Sequence, residues 1–216
     1  MNLPFSQDQF FAVFAAYNAS VYPAQLVLLL LGLGAALIAM RPVRGADRAI
    51  GGVLALLWLW MGVVYQWGFF SAVNPAARAF GAGFVVEAGL LVWYLVIRRR
   101  LSFRPPPTWR GGFGLVLLVY AFAIYPAVGW ALGHRFPASP TFGLPCPTTI
   151  MTLGLLLWTE QRPPAPVMII PWLWALVATA AALQLGVRED LGLLVALVVS
   201  VGGWLAGYRA QPRAAV

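Results

Sequence analysis

Between residues 26 and 208 the chain repeats one pattern seven times: a run of apolar residues, then a short gap carrying arginine, glycine or proline. That alternation limits the fold more than any motif does. The runs cover 26–40, 49–69, 79–97, 113–132, 147–158, 167–185 and 191–208, and most approach the roughly 20 residues a helix needs to cross a bilayer. Water is the wrong solvent for such a chain. Of its 216 residues, 62% are AVILMFWYC and 9% are charged, whereas about a quarter are charged in soluble domains. The expected fold is an all-α polytopic membrane helix bundle, one domain over 1–216 with about seven transmembrane helices.

Arginines set the orientation. All 14 basic residues are arginine. Arg41, Arg44, Arg48, Arg98, Arg99, Arg100, Arg104, Arg110, Arg162, Arg209 and Arg213 fall on one side, against Arg78, Arg135 and Arg188 on the other. The positive-inside bias then predicts a cytoplasmic C-terminus and, with seven crossings, a periplasmic N-terminus in the cell inner membrane. The formal charge of +8 does not point to nucleic acid, because the arginines build no basic face interleaved with stacking aromatics. Ahead of the first run, residues 5–20 read as an amphipathic interfacial helix on the outer side. Ser6 and Gln9 have capping-box spacing, Phe5 and Phe10 have staple spacing, and Phe10, Phe14 and Tyr17 share a face.

The fifth run is unusually short. Cys146 to Trp158 covers roughly 20 Å as a helix, against a bilayer core of about 30 Å. Phe142, Gly143, Leu144 and Pro145 ahead of it are apolar enough to dip inward as irregular backbone, which membrane depth tolerates only beside protein or a wet cavity. An outward-facing hollow is therefore expected around the start of this helix. Pro147 suits the first helical position, which makes Cys146 a candidate N-cap with its sulfur near free amides. Its Cys-Pro step resembles, over two residues only, the metal-binding element of heavy-metal pumps. Together with Met151 and His134, Cys146 offers soft and borderline ligands to a thiophilic metal. The blander readings are an inert cysteine in a packed loop and a surface histidine beside Arg135.

Glu87 is the one acid inside the seven runs. With no basic residue at its depth, an ionised carboxylate there is unpaired and costly, so Glu87 either serves function or locks helices together. Tyr65 and Gln66 close the second run at a comparable depth, and Tyr125 stands beside Pro126, which should kink the fourth. With Thr148 and Thr149 these residues form the expected lining of the hollow. One cysteine makes no intramolecular disulfide and one histidine makes no three-histidine zinc site. The absence of lysine removes Schiff-base chemistry, so no cofactor is expected and an enzyme is the least favoured class.

Three segments, MNLPFSQDQFFAVFAAYN, VYQWGFFSAVNPAARAFG and FGLPCPTTIMTLGLLLW, resemble an uncharacterised family of bacterial multi-pass membrane proteins, a domain of unknown function. The resemblance spans nearly the whole chain. It implies an inner-membrane protein made of this single domain, and it assigns no catalytic or binding residue.

The reading that results is a membrane protein that binds or transports a small solute or cation through an outward-facing polar pocket. Two alternatives stay open: thiophilic heavy-metal handling through Cys146, and a structural or assembly subunit without ligand. The lipid bilayer is the expected partner. Small residues four apart, as at Gly32 and Ala36 or Gly203 and Gly207, favour close packing within the chain and leave an oligomer open.

Overall fold

The computed structural model describes residues 4–41 and 43–208; Arg209 and Arg213 of the expected cytoplasmic tail lie outside them. Each of the seven runs is helical. The helices are α1 (Gln7–Val21), α2 (Ala24–Ala39), α3 (Ala46–Trp60), α4 (Ala77–Leu91), α5 (Trp109–Val119), α6 (Tyr125–Ala131), α7 (Pro145–Leu157), α8 (Ala165–Leu185) and α9 (Gly192–Ala206). Three π-helical stretches extend them: Met61–Trp67 continues α3, Val92–Ile97 continues α4, and Tyr120–Ile124 joins α5 to α6. The last stands directly before Pro126, whose ring crowds the carbonyl four residues back and removes one amide donor; a wider turn relieves both.

Among the described residues, five helical units are long and apolar enough to cross a membrane: Ala46–Ala72, Ala77–Ile97, Trp109–Ala131, Ala165–Leu185 and Arg188–Ala206. The expected count of seven is too high by that measure. α1 and α2 qualify only as a pair bent by 90°, which raises the number to 6, and α7 is too short.

α7 is the centre of the bundle. All 13 of its residues are buried, as befits a helix that is apolar all round. It begins earlier than its sequence suggests. The N-cap is Leu144 rather than Cys146, and Pro145, Cys146 and Pro147 form the first turn, where a missing amide proton is no loss. Gly154 lets α7 cross α5 at contact distance, since a Cβ there would lie 3.2 Å from the Gly114 carbonyl oxygen. Beside that crossing the Trp158 indole donates to the Gly111 carbonyl at 2.9 Å. At the C-terminal end of α7, Arg110 donates from Nη1 to the carbonyls of Leu157 at 3.2 Å and Thr159 at 3.1 Å. Its guanidinium lies 3.8 Å from the centre of the Tyr208 ring. Arg110 is thus a buried cap on a helix end, not the exposed topology charge that its sequence position implies.

The arginine-rich connections meet at that same end. Phe103 donates its amide to Asp47 at 2.8 Å, Ser102 to Gln161 at 2.7 Å, and Glu160 to the Ser102 carbonyl at 2.9 Å. At the opposite end α1 lies across the bundle as a roof. Its capping box forms as the spacing predicts, with Ser6 and Gln9 bonded reciprocally at 2.9 and 3.2 Å, and Phe5 stacks on Phe10 at 5.8 Å. The aromatic face that reads as membrane-interfacial is turned onto protein: Phe5 packs on Phe70 at 5.3 Å and Tyr17 on Tyr65 at 5.6 Å. Asn18, fully buried on α1, donates to the carbonyls of Pro137 at 2.6 Å and Ser139 at 2.8 Å and accepts from Thr141 at 2.6 Å. This one side chain ties the loop before α7 to the roof.

Candidate functional site

A cavity of about 400 Å³ lies beneath the roof, between α1, the end of the α3 unit, α8 and the first turn of α7. Its wall is largely apolar, with Phe14, Phe80 and Trp174 among the lining residues. Polar groups gather where α7 starts. Tyr65, Tyr125, Cys146 and Asp190 all line it. The Tyr125 hydroxyl donates to Asp190 Oδ1 at 2.5 Å, and the Cys146 thiol faces the same carboxyl. Tyr65 is held by aromatic contacts, stacked on Phe70 at 5.7 Å and edge-on to Tyr17.

Asp190 is the residue that sequence reasoning misses. Arg188, Glu189 and Asp190 read as a charged connection between two runs, yet Glu189 and Asp190 are 0% and 4% exposed. Gly186, at φ +71°, ends α8 and turns the chain so tightly that a short 3-10 turn, Arg188–Leu191, leads straight into α9. Within this connection Arg188 is exposed while the two acids turn inward, Glu189 to His134 and Asp190 to Tyr125. The usable signal is that shortness, together with tyrosines in the fourth run that need partners once buried. Both tyrosines find them here, because the Tyr120 hydroxyl donates to the Glu189 carbonyl at 2.7 Å. His134 Nδ1 meets Glu189 Oε1 at 2.5 Å while its ring lies 4.3 Å from that of Phe11. The lone histidine therefore latches the outer connection of α6 to the start of the last helix.

The expected lining divides into two groups. Tyr65, Tyr125 and Cys146 meet at the cavity; Gln66, Glu87, Thr148 and Thr149 do not line it. All four are fully buried, and their side-chain oxygens, with the Gln66 amide nitrogen, have no hydrogen-bond partner among the described residues. Gln66 and Glu87 also differ in depth. Gly62 abuts Gly81 and Phe84, and Gly51 abuts Leu95, so the antiparallel register puts Glu87 level with Trp58, roughly two turns deeper than Gln66. Phe84, stacked edge-on between Trp58 and the cavity residue Trp174 at 5.0 Å from each, comes three residues before Glu87. Two of the metal candidates have other neighbours. A Cβ on Gly32 of α2 would lie 3.1 Å from Met151 Sδ, and His134 is engaged with Glu189. Among the described residues, no three His, Cys, Asp or Glu side chains gather as a metal-holding group.

Chemically the cavity offers a carboxyl, two phenols and a thiol where α7 starts, and the carboxamides of Asn74 and Gln184 elsewhere in a largely apolar wall. Residues 7–214 match a family model described as a family of unknown function, DUF6064. No curated protein and no solved structure matches the chain.

Proposed function

Since the chain belongs to DUF6064, a family of unknown function, its task has to be read from its own cavity, and we propose that it is an inner-membrane protein that binds a small, largely apolar solute there. The arginine distribution supports an orientation with the arginine-rich end in the cytoplasm and the roof and cavity toward the periplasm. One observation carries the reading: a largely apolar chamber of about 400 Å³ in which Asp190, Tyr125, Cys146 and Tyr65 converge at the start of α7, with Asn74 and Gln184 elsewhere in the lining. Pockets for small molecules have this construction, with apolar walls supplying affinity and a few convergent polar groups fixing orientation. Asp190 is the acceptor, so the preferred solute carries a basic nitrogen or another hydrogen-bond donor on an apolar body. Cys146, the one cysteine in the chain, reports on the site directly.

The test uses methanethiosulfonate reagents on the detergent-solubilised protein. The benzyl and trimethylammonioethyl reagents are expected to modify Cys146 about tenfold faster than the sulfonatoethyl reagent, because wall and carboxyl both disfavour an anion. Asp190→Asn should erase the preference for the cationic over the anionic reagent while leaving the benzyl rate high. Equal rates for all three reagents in the unmodified protein would contradict the reading.

A further inference from the structure

We propose a second site: a lateral groove that holds a membrane phospholipid whose headgroup carries a hydrogen-bond donor, such as the hydroxyls of phosphatidylglycerol or the ammonium of phosphatidylethanolamine. The inference takes membrane insertion as given; the groove shares Tyr125, Pro140 and Pro147 with the solute cavity as a common wall and does not rest on the solute reading. A separate cavity of about 340 Å³ lies across the Pro140–Pro147 wall from the first, between α2, the α5–α6 unit and the loop after α6. It opens on the flank of the bundle, since Leu26, Trp130 and Phe136 line it and are 51%, 61% and 59% exposed. A flank of that composition faces acyl chains, and Leu29 and Phe122 continue the apolar lining inward.

Of the polar residues at the groove, Tyr125, His134 and Thr141 are bonded within the protein, and two features, Arg135 and Gln25, select the headgroup. Arg135 lines it, exposed, with its guanidinium 4.5 Å from the centre of the Trp130 ring. Among the described residues it forms no salt bridge with a carboxylate, and a guanidinium beside an interfacial tryptophan suits a phosphate. The second feature is Gln25, which is 5% exposed and lines the same groove. Its Nε2 faces two acceptors, the Asn18 carbonyl at 2.8 Å and Asn18 Oδ1 at 3.2 Å, which fixes the amide orientation. Gln25 Oε1 is thereby left buried and without a partner among the described residues. A buried acceptor of this kind is expensive unless a donor meets it. Asn18 is itself held by Pro137, Ser139 and Thr141, so the acceptor is preorganised. A phosphate, a neighbouring donor and an acyl chain together describe one chemistry, the phospholipid headgroup region. Phosphatidylcholine, which has no headgroup donor, is the matched negative probe.

Native mass spectrometry of the full-length protein, titrated with the three lipids in detergent, tests the site. Dioleoyl phosphatidylglycerol and phosphatidylethanolamine are expected to bind about tenfold more tightly than phosphatidylcholine, the equivalent of one hydrogen bond to a buried acceptor. Gln25→Met should bring all three to the phosphatidylcholine level, and Arg135→Gln should weaken all three together. Leu29→Trp fills the groove one helical turn from Gln25; it should abolish binding of every lipid and leave the Cys146 modification rates unchanged. Equal affinities for the three lipids in the unmodified protein, or undiminished binding by Leu29→Trp, would overturn the proposal.

Discussion

Gly114→Leu is expected to destabilise the bundle by about 3 kcal/mol or more and to lower the yield of folded protein sharply. A Cβ alone at this position would lie 2.5 Å from both Cδ1 and Nε1 of Trp158 and 3.0 Å from the Gly154 carbonyl oxygen. Neither neighbour can give way. Trp158 is 1% exposed and bonded to the Gly111 carbonyl, and the other contact is backbone of α7. The two helices have to separate, and since every residue of α7 is buried, each of its neighbours shifts with it. Gly112→Ala on the same helix is the control, because a Cβ there meets nothing within 4 Å; it should be neutral or slightly stabilising. Unfolding midpoints in mixed detergent, with gel filtration of the folded fraction, give the comparison. Matching midpoints for Gly114→Leu and the unmodified protein would mean that α5 and α7 do not cross at these glycines.

Arg110→Met is expected to lose about 3 kcal/mol, the scale of charged hydrogen bonds taken from buried acceptors. The substitution keeps much of the apolar stem but leaves the carbonyls of Leu157 and Thr159 without this donor and removes the cation from the Tyr208 ring. Arg110→Lys should restore only part of the loss, since an ammonium can stand in for the Nη1 donor but not for the planar guanidinium that stacks on Tyr208. The same unfolding assay reads both variants. A methionine variant as stable as the unmodified protein would show that the C-terminal end of α7 is capped by something else, and that the height of its first turn at the cavity is set from elsewhere.

The seven helical segments are legible because hydropathy acts on long windows, and the boundaries drawn from it fall within a few residues of the helices. The capping box of α1 and the brevity of α7 are equally local and equally readable. What escapes the sequence is direction. Arg110 reads as one more charge in a basic gap, and only the packing shows that α7 ends inside the bundle and needs a donor there. Asp190 reads as loop because it follows Arg188 and Glu189, yet the short turn between α8 and α9 sets it against Tyr125 at the cavity while Arg188 stays exposed. Asn18 and Gln25, seven residues apart on either side of a 90° bend, carry no periodic signal that pairs them. Glu87 stands out in the sequence because it is alone, and isolation says nothing of which helix it faces; Tyr65, Tyr125 and Cys146 reach the cavity and Glu87 does not.

The most direct measurement is the sidedness of Cys146 modification. Membrane vesicles of both orientations, treated with the impermeant trimethylammonioethyl reagent, should show modification in right-side-out vesicles, at a rate well below that of an exposed cysteine placed at Arg78, and none in inside-out vesicles. That outcome would place the first turn of α7 under a cavity open away from the arginine-rich end. Modification confined to inside-out vesicles, or a rate in right-side-out vesicles equal to that of the exposed control, would contradict it.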